Sequence, residues 1–279
     1  MNTGSLDRPA RQDQTRGELM ADFLTRRFPG LEQSRVLDVG SGKGGIATAL
    51  ADSVGSIVGV DIDFQNCIDS LNTGDSRVAG TRSPSIARAA AEALPFEDCT
   101  FDLVLLNGVL EWVGRRSKKP REAQQQAISE AERVLRPGGH LYLAIENRLF
   151  PAFLLVDPHT HQPLVNALPR ATARALTAVL VGNRYGTYIY SYWGLRRLLS
   201  SNFVNLQFLL PLPHYHHPYA YASVDSSAEV AAAINEVKLV ASLPGRYRYT
   251  LQYDRLVAAL RLNRILFPYL VVLGQKSES

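Results

Sequence analysis

A glycine-rich loop between two apolar runs holds the residues of this sequence best suited to chemistry. Residues 36–45 read Val-Leu-Asp-Val-Gly-Ser-Gly-Lys-Gly-Gly, and apolar residues return at helical spacing at Ile46 and Leu50. A second apolar run, residues 57–60, leads to Asp61. Glycines let a ligand approach the backbone closely, and a carboxylate at the end of the next strand can accept hydrogen bonds from a ribose diol. The segment therefore predicts a strand, a turn and a helix that bind a nucleoside cofactor.

Two further details of this loop narrow the choice of cofactor. A phosphate-binding loop for ATP or GTP needs a hydroxyl residue directly after its lysine, whereas Lys43 is followed by Gly44. The dinucleotide fingerprint places its third glycine one residue later than Gly44, and Asp38 would repel a pyrophosphate. An acidic residue at that point suits a cationic ligand end, such as the amino and sulfonium groups of S-adenosyl-L-methionine.

Four segments resemble the motifs of the class I S-adenosylmethionine-dependent methyltransferases, in that family's order. These segments are residues 36–45, 57–61, 91–107 and 133–143. The resemblance covers roughly residues 34–146, about the size of a typical domain core. It implies that S-adenosyl-L-methionine contacts the following residues: Asp38, Gly40, Ser41, Gly42, Asp61, Ile62, Ala91, Glu92, Asn107 and Gly108.

The resemblance also assigns parts of the cofactor to these residues. Asp61 is expected to bind the ribose hydroxyls, Ile62 to touch adenine and Asn107 to line the methyl-donor end. The chain departs from the family at Ala90, where many relatives carry an aspartate that accepts the adenine amino group. Adenine binding would then rest on backbone groups and Glu92.

Segments beyond the fifth expected strand resemble a bacterial subgroup of these enzymes that is associated with the assembly of surface polysaccharides. They are Glu-Asn-Arg at residues 146–148, Asp-Pro-His-Thr at 157–160 and Tyr-Ser-Tyr-Trp-Gly at 190–194. Pro158 stands where the subgroup has an acidic residue. The resemblance implies a glycan acceptor, and the chemistry of this segment is not carried over whole.

Histidines and carboxylates near the expected methyl donor are candidates for a general base. Methyl transfer requires alignment of the acceptor with the methyl group and, for a hydroxyl acceptor, removal of its proton. His159 titrates near working pH and is the predicted proton acceptor, with His161 and Glu111 as the other catalytic candidates. Asp157 and Glu146 are further carboxylates nearby. The alternative is that His159 only holds its turn through backbone hydrogen bonds.

The sequence predicts no metal site. His214, His216 and His217 are close in sequence, but they have no cysteine or carboxylate beside them and are expected at the rim of a loop. Cys67 and Cys99 lack metal-ligand spacing and are too few for a disulfide framework.

The order of strands and helices predicts an α/β fold with a doubly wound, mostly parallel sheet of seven strands. The resemblance implies that it is the Rossmann-like sheet of a methyltransferase. Residues 1–33 are expected to form an N-terminal arm followed by a helix at 18–28, and residues 34–279 the methyltransferase domain. Residues 147–191 are more than a crossover needs and predict a cap inserted after the fifth strand. Helices at 228–237 and 250–262 precede the last strand, which the resemblance places antiparallel to the fifth.

Composition limits the cellular setting. The chain has 279 residues, 46% of them hydrophobic, with a formal net charge of +4. No signal-peptide pattern and no apolar run near the ~20 residues of a membrane span is present, so we expect a cytoplasmic protein. The basic residues 115–121 form either a solvated loop or a site for an anionic substrate or membrane surface.

These observations predict a methyltransferase that most simply O-methylates a glycan or small-molecule acceptor, which could be anionic. Nucleic acid is a less favoured acceptor, because residues 107–110 read Asn-Gly-Val-Leu instead of the Asn/Asp-Pro-Pro-aromatic motif of amino methyltransferases. The alternatives are a tailoring enzyme for a lipid or secondary metabolite, and an inactive cofactor-binding regulatory protein. The sequence leaves the oligomeric state open.

Overall fold

The computed structural model describes residues 7–75, 82–182, 185–240 and 245–278, and its centre is an eight-stranded β-sheet. The strands are β1 (Arg35–Val39), β2 (Ser56–Asp61), β3 (Ser85–Arg88), β4 (Phe101–Asn107), β5 (Leu135–Glu146), β6 (Val204–His214), β7 (His217–Ser223) and β8 (Tyr269–Gln275).

Helices in the described part of the chain cover both faces of the sheet, and two of them lie in residues 147–191. They are α1 (Asp7–Arg27), α2 (Gly45–Leu50), α3 (Phe64–Asp75), α4 (Pro120–Val134), α5 (Pro151–Leu155), α6 (Arg170–Val181), α7 (Tyr192–Leu199), α8 (Ser227–Lys238), α9 (Gly245–Ala259) and α10 (Asn263–Leu266). None of these helices has the length and apolar character that crossing a membrane requires.

The strand order is β3-β2-β1-β4-β5-β8-β6-β7. The first five strands are parallel, and β8 runs antiparallel to β5, from the pair His140 and Gln275 to the pair Glu146 and Tyr269. This confirms the α/β sheet and the antiparallel last strand. Because the carboxyl ends of parallel strands meet at one edge, Asp61 and Asn107 end their strands on the same side of the sheet as Glu146.

The prediction of seven strands is wrong, because the chain forms an eighth strand, β7, in a hairpin with β6. The histidines and prolines around residues 211–218 are typical of a loop, and this composition hid the strand. Pro218 is tolerated because β7 is the edge strand of the sheet, where a missing N–H donor costs no ladder hydrogen bond. Side chains along β7 alternate between buried and partly exposed, as expected for an edge strand with one covered face.

The N-terminal helix is longer than the sequence predicts. It begins at Asp7 instead of residue 18, while residues 1–6 lie outside the described residues. Its first turns are polar and lack apolar periodicity, so the sequence pattern shows only the second half. That half is packed on the sheet: Met20 and Leu24 are fully buried in a core cluster with strand residues such as Tyr142.

Residues 147–191, the segment predicted to be a cap and called the cap below, have a small apolar cluster of their own and are tied to the sheet. Val165, Ala173, Tyr185 and Tyr188 form an apolar cluster inside it. The Arg148 guanidinium, directly after β5, donates hydrogen bonds to the carbonyl oxygens of residues 166 and 168 at 2.7 Å each. The cap is therefore positioned by the end of the strand that also carries Glu146.

Candidate active site

The glycine loop after β1 is held against the end of β2 by its own backbone. The N–H groups of Gly40 and Ser41 donate to the carbonyl oxygen of Val60 at 2.7 and 2.9 Å. Gly40 has φ +69°, and a Cβ atom there would collide with the side chain of Val109. Only glycine combines this backbone conformation with such a close approach, so the loop can lie flat under a ligand.

Asp61 ends β2 with a carboxylate that is fixed by three hydrogen bonds. Its Oδ2 accepts from the N–H of Gly42 at 2.9 Å, and its Oδ1 accepts from the N–H of Asp63 at 2.8 Å and from Asn66 at 3.2 Å. The residue is 8% exposed. Asp61 thus joins the glycine loop to the start of α3 and presents a positioned acceptor at the wall of a cavity.

This cavity has a volume of about 1120 Å³ and opens along the carboxyl ends of β1, β2 and β4. It is large enough for a nucleoside cofactor. Seven of the ten residues predicted to bind the cofactor line it: Gly40, Gly42, Asp61, Ile62, Ala91, Glu92 and Gly108. We call this space the cofactor cavity.

The other three predicted cofactor residues are not among those that line the cavity. Asp38 is 1% exposed within β1. The Ser41 hydroxyl faces Gly59 of β2, and its Oγ lies 2.9 Å from where a Cβ of that glycine would be. Asn107 is 7% exposed, and its side-chain amide has no hydrogen-bond partner in the part of the chain that the structure describes.

Two aromatic side chains that sequence reasoning missed also line the cofactor cavity. Phe64 is 60% exposed at the start of α3, and Ile62 beside it is 66% exposed. Apolar side chains left open to water at a cavity wall suit a flat aromatic ligand such as adenine. Trp112 lines the opposite end of the cavity. The sequence could have indicated Trp112, because it follows Gly108 by four residues and polar loops rarely carry a tryptophan without a contact.

Three ionisable side chains converge beside Gly108, where the ends of β4 and β5 meet the cap. Glu111, Glu146 and His159 each offer one oxygen or nitrogen atom, and these atoms lie within 4.8 Å of one another. His159 Nε2 lies 3.2 Å from Glu146 Oε2, and the two side chains are 9% and 5% exposed. We call these residues the Glu-Glu-His cluster. It contains two of the three predicted catalytic residues, Glu111 and His159, together with Glu146.

The surroundings of this cluster are apolar and aromatic. Burial and the neighbouring Glu146 carboxylate raise the pKa of Glu111 well above its usual value. The Tyr215 hydroxyl donates to Glu146 Oε1 at 3.3 Å, and burial raises the pKa of that hydroxyl so that it keeps its proton. The Trp112 ring packs edge-on against the His159 imidazole, with ring centroids 4.7 Å apart. Charges in the cluster are therefore poorly screened by water.

Asp157 has a structural position in the cap. Its Oδ1 accepts from the N–H groups of His159 and Thr160 at 3.1 and 2.7 Å, and its Oδ2 accepts from Asn166 and the Tyr185 hydroxyl at 3.0 Å each. The backbone of His159 thus holds the turn, as one of the two interpretations has it, while its side chain faces Glu146 and stays a predicted proton acceptor. A carboxylate occupied on both oxygens is poorly placed to accept a substrate proton.

His161, the remaining predicted catalytic residue, does not join the cluster. It is exposed, with φ +56°, and lines neither this cavity nor the one described next. The histidines at residues 214, 216 and 217 lie at the hairpin between β6 and β7. There, burial and the charge of Arg16 lower the pKa of His216 to about 4.

A second cavity of about 640 Å³ lies between the basic loop and the cap, and we call it the basic cavity. Its charged lining residues are Arg115, Arg116, Lys118 and Arg174, His159 lines it as well, and no aspartate or glutamate is among the residues that line it. Residues 115–117 line the cofactor cavity as well. The two cavities therefore share a wall.

The basic loop is fastened to the cap at this wall. The Arg174 guanidinium donates to the carbonyl oxygens of Lys118 at 3.0 Å and Tyr185 at 3.2 Å. At Gly186 a side chain would overlap the carbonyl oxygen of Arg115, so the glycine lets the two segments touch. Sequence reasoning found the basic loop but not Arg174, because only the folded cap brings α6 to it.

Comparisons with known proteins show what the central part of this chain is similar to. Residues 37–143 match a family model described as a methyltransferase domain. The malonyl-[acyl-carrier protein] O-methyltransferase of Enterobacter lignolyticus is 31% identical over 121 residues, which cover 43% of this chain and 42% of that protein. The demethylmenaquinone methyltransferase of Clavibacter sepedonicus is 32% identical over 119 residues, covering 43% of this chain and 44% of that protein. The chain spans less than half the length of these curated relatives.

A solved structure matches nearly the whole fold. The PH0226 protein of Pyrococcus horikoshii has a TM-score of 0.56 at 16% identity, with 98% of this chain and 93% of that chain covered. The matched domain and the relatives support a methyltransferase domain of the kind that uses S-adenosyl-L-methionine at residues 37–143, and the solved structure supports the fold. The residues around the cofactor cavity fit that cofactor, since they combine a flat glycine loop, a fixed carboxylate at a strand end and open apolar surfaces.

Proposed function

We propose that this protein transfers a methyl group from S-adenosyl-L-methionine to a hydroxyl oxygen of a glycan or small-molecule acceptor that carries a negative charge. The observation that carries the proposal is the shared wall: a cavity lined by four Lys and Arg residues adjoins the cofactor cavity. The Glu-Glu-His cluster lies where the two meet, since Trp112 lines one cavity and His159 the other.

On the cofactor side, the chain's task is to hold its ligand in one orientation. S-adenosyl-L-methionine supplies a methyl group on a sulfonium, which is already activated for displacement. Asp61 would accept hydrogen bonds from the ribose hydroxyls, and Ile62 with Phe64 would cover the adenine ring. Asp38 lies beneath the loop, and its negative charge would attract the cationic end of the ligand. Alignment of this kind supplies much of the rate acceleration when no other chemistry is required.

On the acceptor side, the Glu-Glu-His cluster gives the reason to expect a hydroxyl. A carboxylate acceptor is ionised at neutral pH and needs no group to take a proton. A hydroxyl does, and His159 borders the basic cavity with Glu146 3.2 Å behind it. His159 and Glu111 therefore remain the proposed catalytic residues, with Glu146 added to them.

The charge of the acceptor follows from the basic cavity. Arg116 and Lys118 line it, and the buried Thr187 hydroxyl, also in its wall, has no hydrogen-bond partner in the described ranges. Guanidinium, ammonium and hydroxyl donors together suit a phosphate or pyrophosphate group. Activated sugars carry such groups, so the cavity is compatible with the glycan acceptor that the cap motifs imply. A phosphorylated lipid or secondary metabolite is the second candidate.

An experiment with fractionated acceptors tests the proposal. The small-molecule fraction of a bacterial extract is separated on an anion-exchange resin, and formation of S-adenosylhomocysteine is measured with each part. We expect turnover with the retained, anionic part. The double variant Arg116→Glu with Lys118→Glu should raise the apparent KM for that part at least tenfold, or ~1.4 kcal/mol, without changing S-adenosylhomocysteine affinity.

Lys119→Glu is the matched control. Lys119 belongs to the same loop, but it pairs with Glu122 at 2.8 Å, is exposed and does not line the basic cavity. The defect of the double variant should also change with salt, since exposed charges are screened beyond ~8 Å at physiological ionic strength. Turnover confined to the unretained part would contradict an anionic acceptor. A lack of turnover with either part would favour the inactive, cofactor-binding alternative.

A further inference from the structure

The Glu-Glu-His cluster contains a buried carboxyl group, that of Glu111, without a stabilising partner among the described residues. Glu111 is completely buried, and neither of its carboxylate oxygens has a hydrogen-bond partner among the described residues. The charged side chain that acts on it is Glu146, which is also acidic. A buried carboxylate normally has a cationic partner, hydrogen-bond donors or a bound metal ion.

Protonation of Glu111 alone does not resolve this arrangement. A proton would remove the repulsion from Glu146, but it would leave the Glu111 carboxyl group without the hydrogen bonds that a buried polar group needs. His159 Nε2 and Glu146 Oε2 are 3.2 Å apart, yet neither atom makes an aligned hydrogen bond within the described ranges. The three side chains therefore face a common point rather than one another.

The separation of His159 Nε2 and Glu146 Oε2 matches that of two ligands in the first coordination sphere of a metal ion, with Glu111 close enough to join them. Carboxylate oxygen and imidazole nitrogen bind divalent zinc at ~2.0 to 2.2 Å, which places neighbouring ligand atoms ~3.0 to 3.5 Å apart. The measured separation between His159 Nε2 and Glu146 Oε2 is 3.2 Å, and all three candidate ligand atoms fall within 4.8 Å. An orphaned, fully buried carboxylate aimed at the same point is an independent indication of a missing cation.

We propose that Glu111, Glu146 and His159 form a binding site for one divalent cation. Two carboxylates and one imidazole suit Mn²⁺, Fe²⁺ or Zn²⁺, with Mg²⁺ disfavoured by the nitrogen ligand. Groups around the ligands resemble those that orient metal-binding side chains elsewhere. The Tyr215 hydroxyl donates to Glu146, and the backbone of His159 is held by the Asp157 carboxylate.

The role of the cation in turnover rests on the proposed function, with the cation in place of His159 as the group that promotes loss of the hydroxyl proton, whereas cation binding does not depend on the proposed function. The acceptor reaches the cation from the basic cavity, because His159 borders that cavity while both glutamates are enclosed. A divalent cation held by Glu111, Glu146 and His159 would make a bound acceptor hydroxyl lose its proton more readily, and the proton would leave to water in the basic cavity. The three side chains would thereby position the acceptor oxygen for bond formation to the methyl carbon, with the carbon–sulfur electron pair left on sulfur in S-adenosylhomocysteine.

Cation binding can be measured without an acceptor. The full-length protein is stripped with EDTA, dialysed, and titrated with Mn²⁺ and, separately, Zn²⁺ by calorimetry, with Mn²⁺ followed also by electron paramagnetic resonance. We expect one ion per chain. Glu111→Gln and His159→Gln keep the side-chain volume nearly unchanged, and each should weaken binding at least tenfold. Circular dichroism and S-adenosylhomocysteine affinity check that both variants are folded.

Two matched controls separate this site from other carboxylates and histidines. His161→Gln alters an exposed histidine two residues away, and Asp254→Asn alters another buried carboxylate that lacks a partner on one oxygen in the described residues. Both should bind one ion as the unaltered protein does. Readdition of the ion should restore turnover of the anionic extract fraction by stripped protein.

Absence of stoichiometric binding, or equal binding by Glu111→Gln and His159→Gln, overturns the site. Full turnover by the stripped protein that is lost in His159→Gln would instead make His159 a free general base. Stoichiometric binding with no turnover of any fraction would support the cation site and count against the proposed function, so the two failures are distinguishable.

Discussion

The two sides of the active site are built in different ways. On the cofactor side, the contacts that fix the site join residues close in sequence: Gly42 donates to Asp61 across 19 positions, and Asp63 donates to Asp61 across two. On the acceptor side, Tyr215 reaches Glu146 across 69 positions, and Arg174 reaches Lys118 across 56. The cofactor-side contacts lie within one short segment of the sequence, whereas the acceptor-side contacts form only when the cap has folded onto the sheet.

We expect the largest effect from substitution of Asp157, which holds the cap together on the acceptor side. Asp157→Ala removes the acceptor of several buried hydrogen bonds, and charge-assisted bonds contribute ~1.5 to 3 kcal/mol each when buried. We expect the cap to loosen, with a loss of about 3 kcal/mol in the free energy of unfolding and of nearly all acceptor turnover, while cofactor affinity changes little. Urea unfolding and calorimetry with S-adenosylhomocysteine measure the two sides separately.

Asp225→Ala is the control for that substitution, since Asp225 pairs with Arg264 in an exposed position where ion pairs contribute under ~1 kcal/mol. If Asp157→Ala weakened S-adenosylhomocysteine binding as strongly as it reduced acceptor turnover, the two sides would not be separate units.

The next effect comes from the cofactor side. Asp61→Ala removes the acceptor expected to bind the ribose, together with the anchor of the glycine loop at Gly42. S-adenosylhomocysteine affinity should fall at least tenfold, or ~1.4 kcal/mol, in a calorimetric titration. Asp61→Asn keeps one oxygen acceptor and should fall between this variant and the unaltered protein. Affinities equal to that of the unaltered protein would exclude Asp61 from the cofactor site.

We expect the smallest effect from a buried carboxylate that belongs to neither side of the site, and it serves as a comparison for Glu111. Burial raises the pKa of Asp254, on α9, to about 8, from an ordinary 3.8. The folded protein then binds a proton that the unfolded chain has lost, so this contribution to stability is complete below pH ~4 and disappears as pH rises through about 8. The slope is at most ~1.4 kcal/mol per pH unit.

Asp254→Asn should flatten the fall in stability between pH 6 and 8, as measured by urea unfolding, and leave methyl transfer unchanged. A loss of turnover in this variant would mean that buried carboxylates affect the active site from any position. The special role of Glu111 would then lose its support.

How much the sequence predicts follows the same division. The glycine loop, Asp61, Ile62 and Glu92 could be assigned from spacing, because strand, turn and helix fix their separation over a few residues. Convergence of Glu111 and His159 could not, since no local pattern relates residues 48 positions apart in sequence. The sequence predicts each as a separate candidate base, and the grouping with Glu146, which suggests a cation instead, required the fold.

The cap and the sheet edge show a second physical limit. The sequence predicts an insertion at residues 147–191 from its length alone, and α6 from its apolar stripe. It does not show that both carboxylate oxygens of Asp157 accept hydrogen bonds from the cap's own backbone and side chains. Strand β7 is not predicted, for a related reason. Proline normally argues against a strand, but an edge strand such as β7 tolerates it, and the sequence alone does not show which strand lies at the edge.

The wall shared by the two cavities would couple their occupancy under the proposed function. Residues 115–117 line both cavities, so a shift of this segment around a ligand in one would change the shape of the other. Thermodynamic linkage then requires that a cofactor which improves acceptor affinity be held more tightly by the same factor once the acceptor is bound. Departure of the methylated acceptor would lower the affinity for S-adenosylhomocysteine by that factor. Ordered exchange of substrates and products would thus need no moving lid.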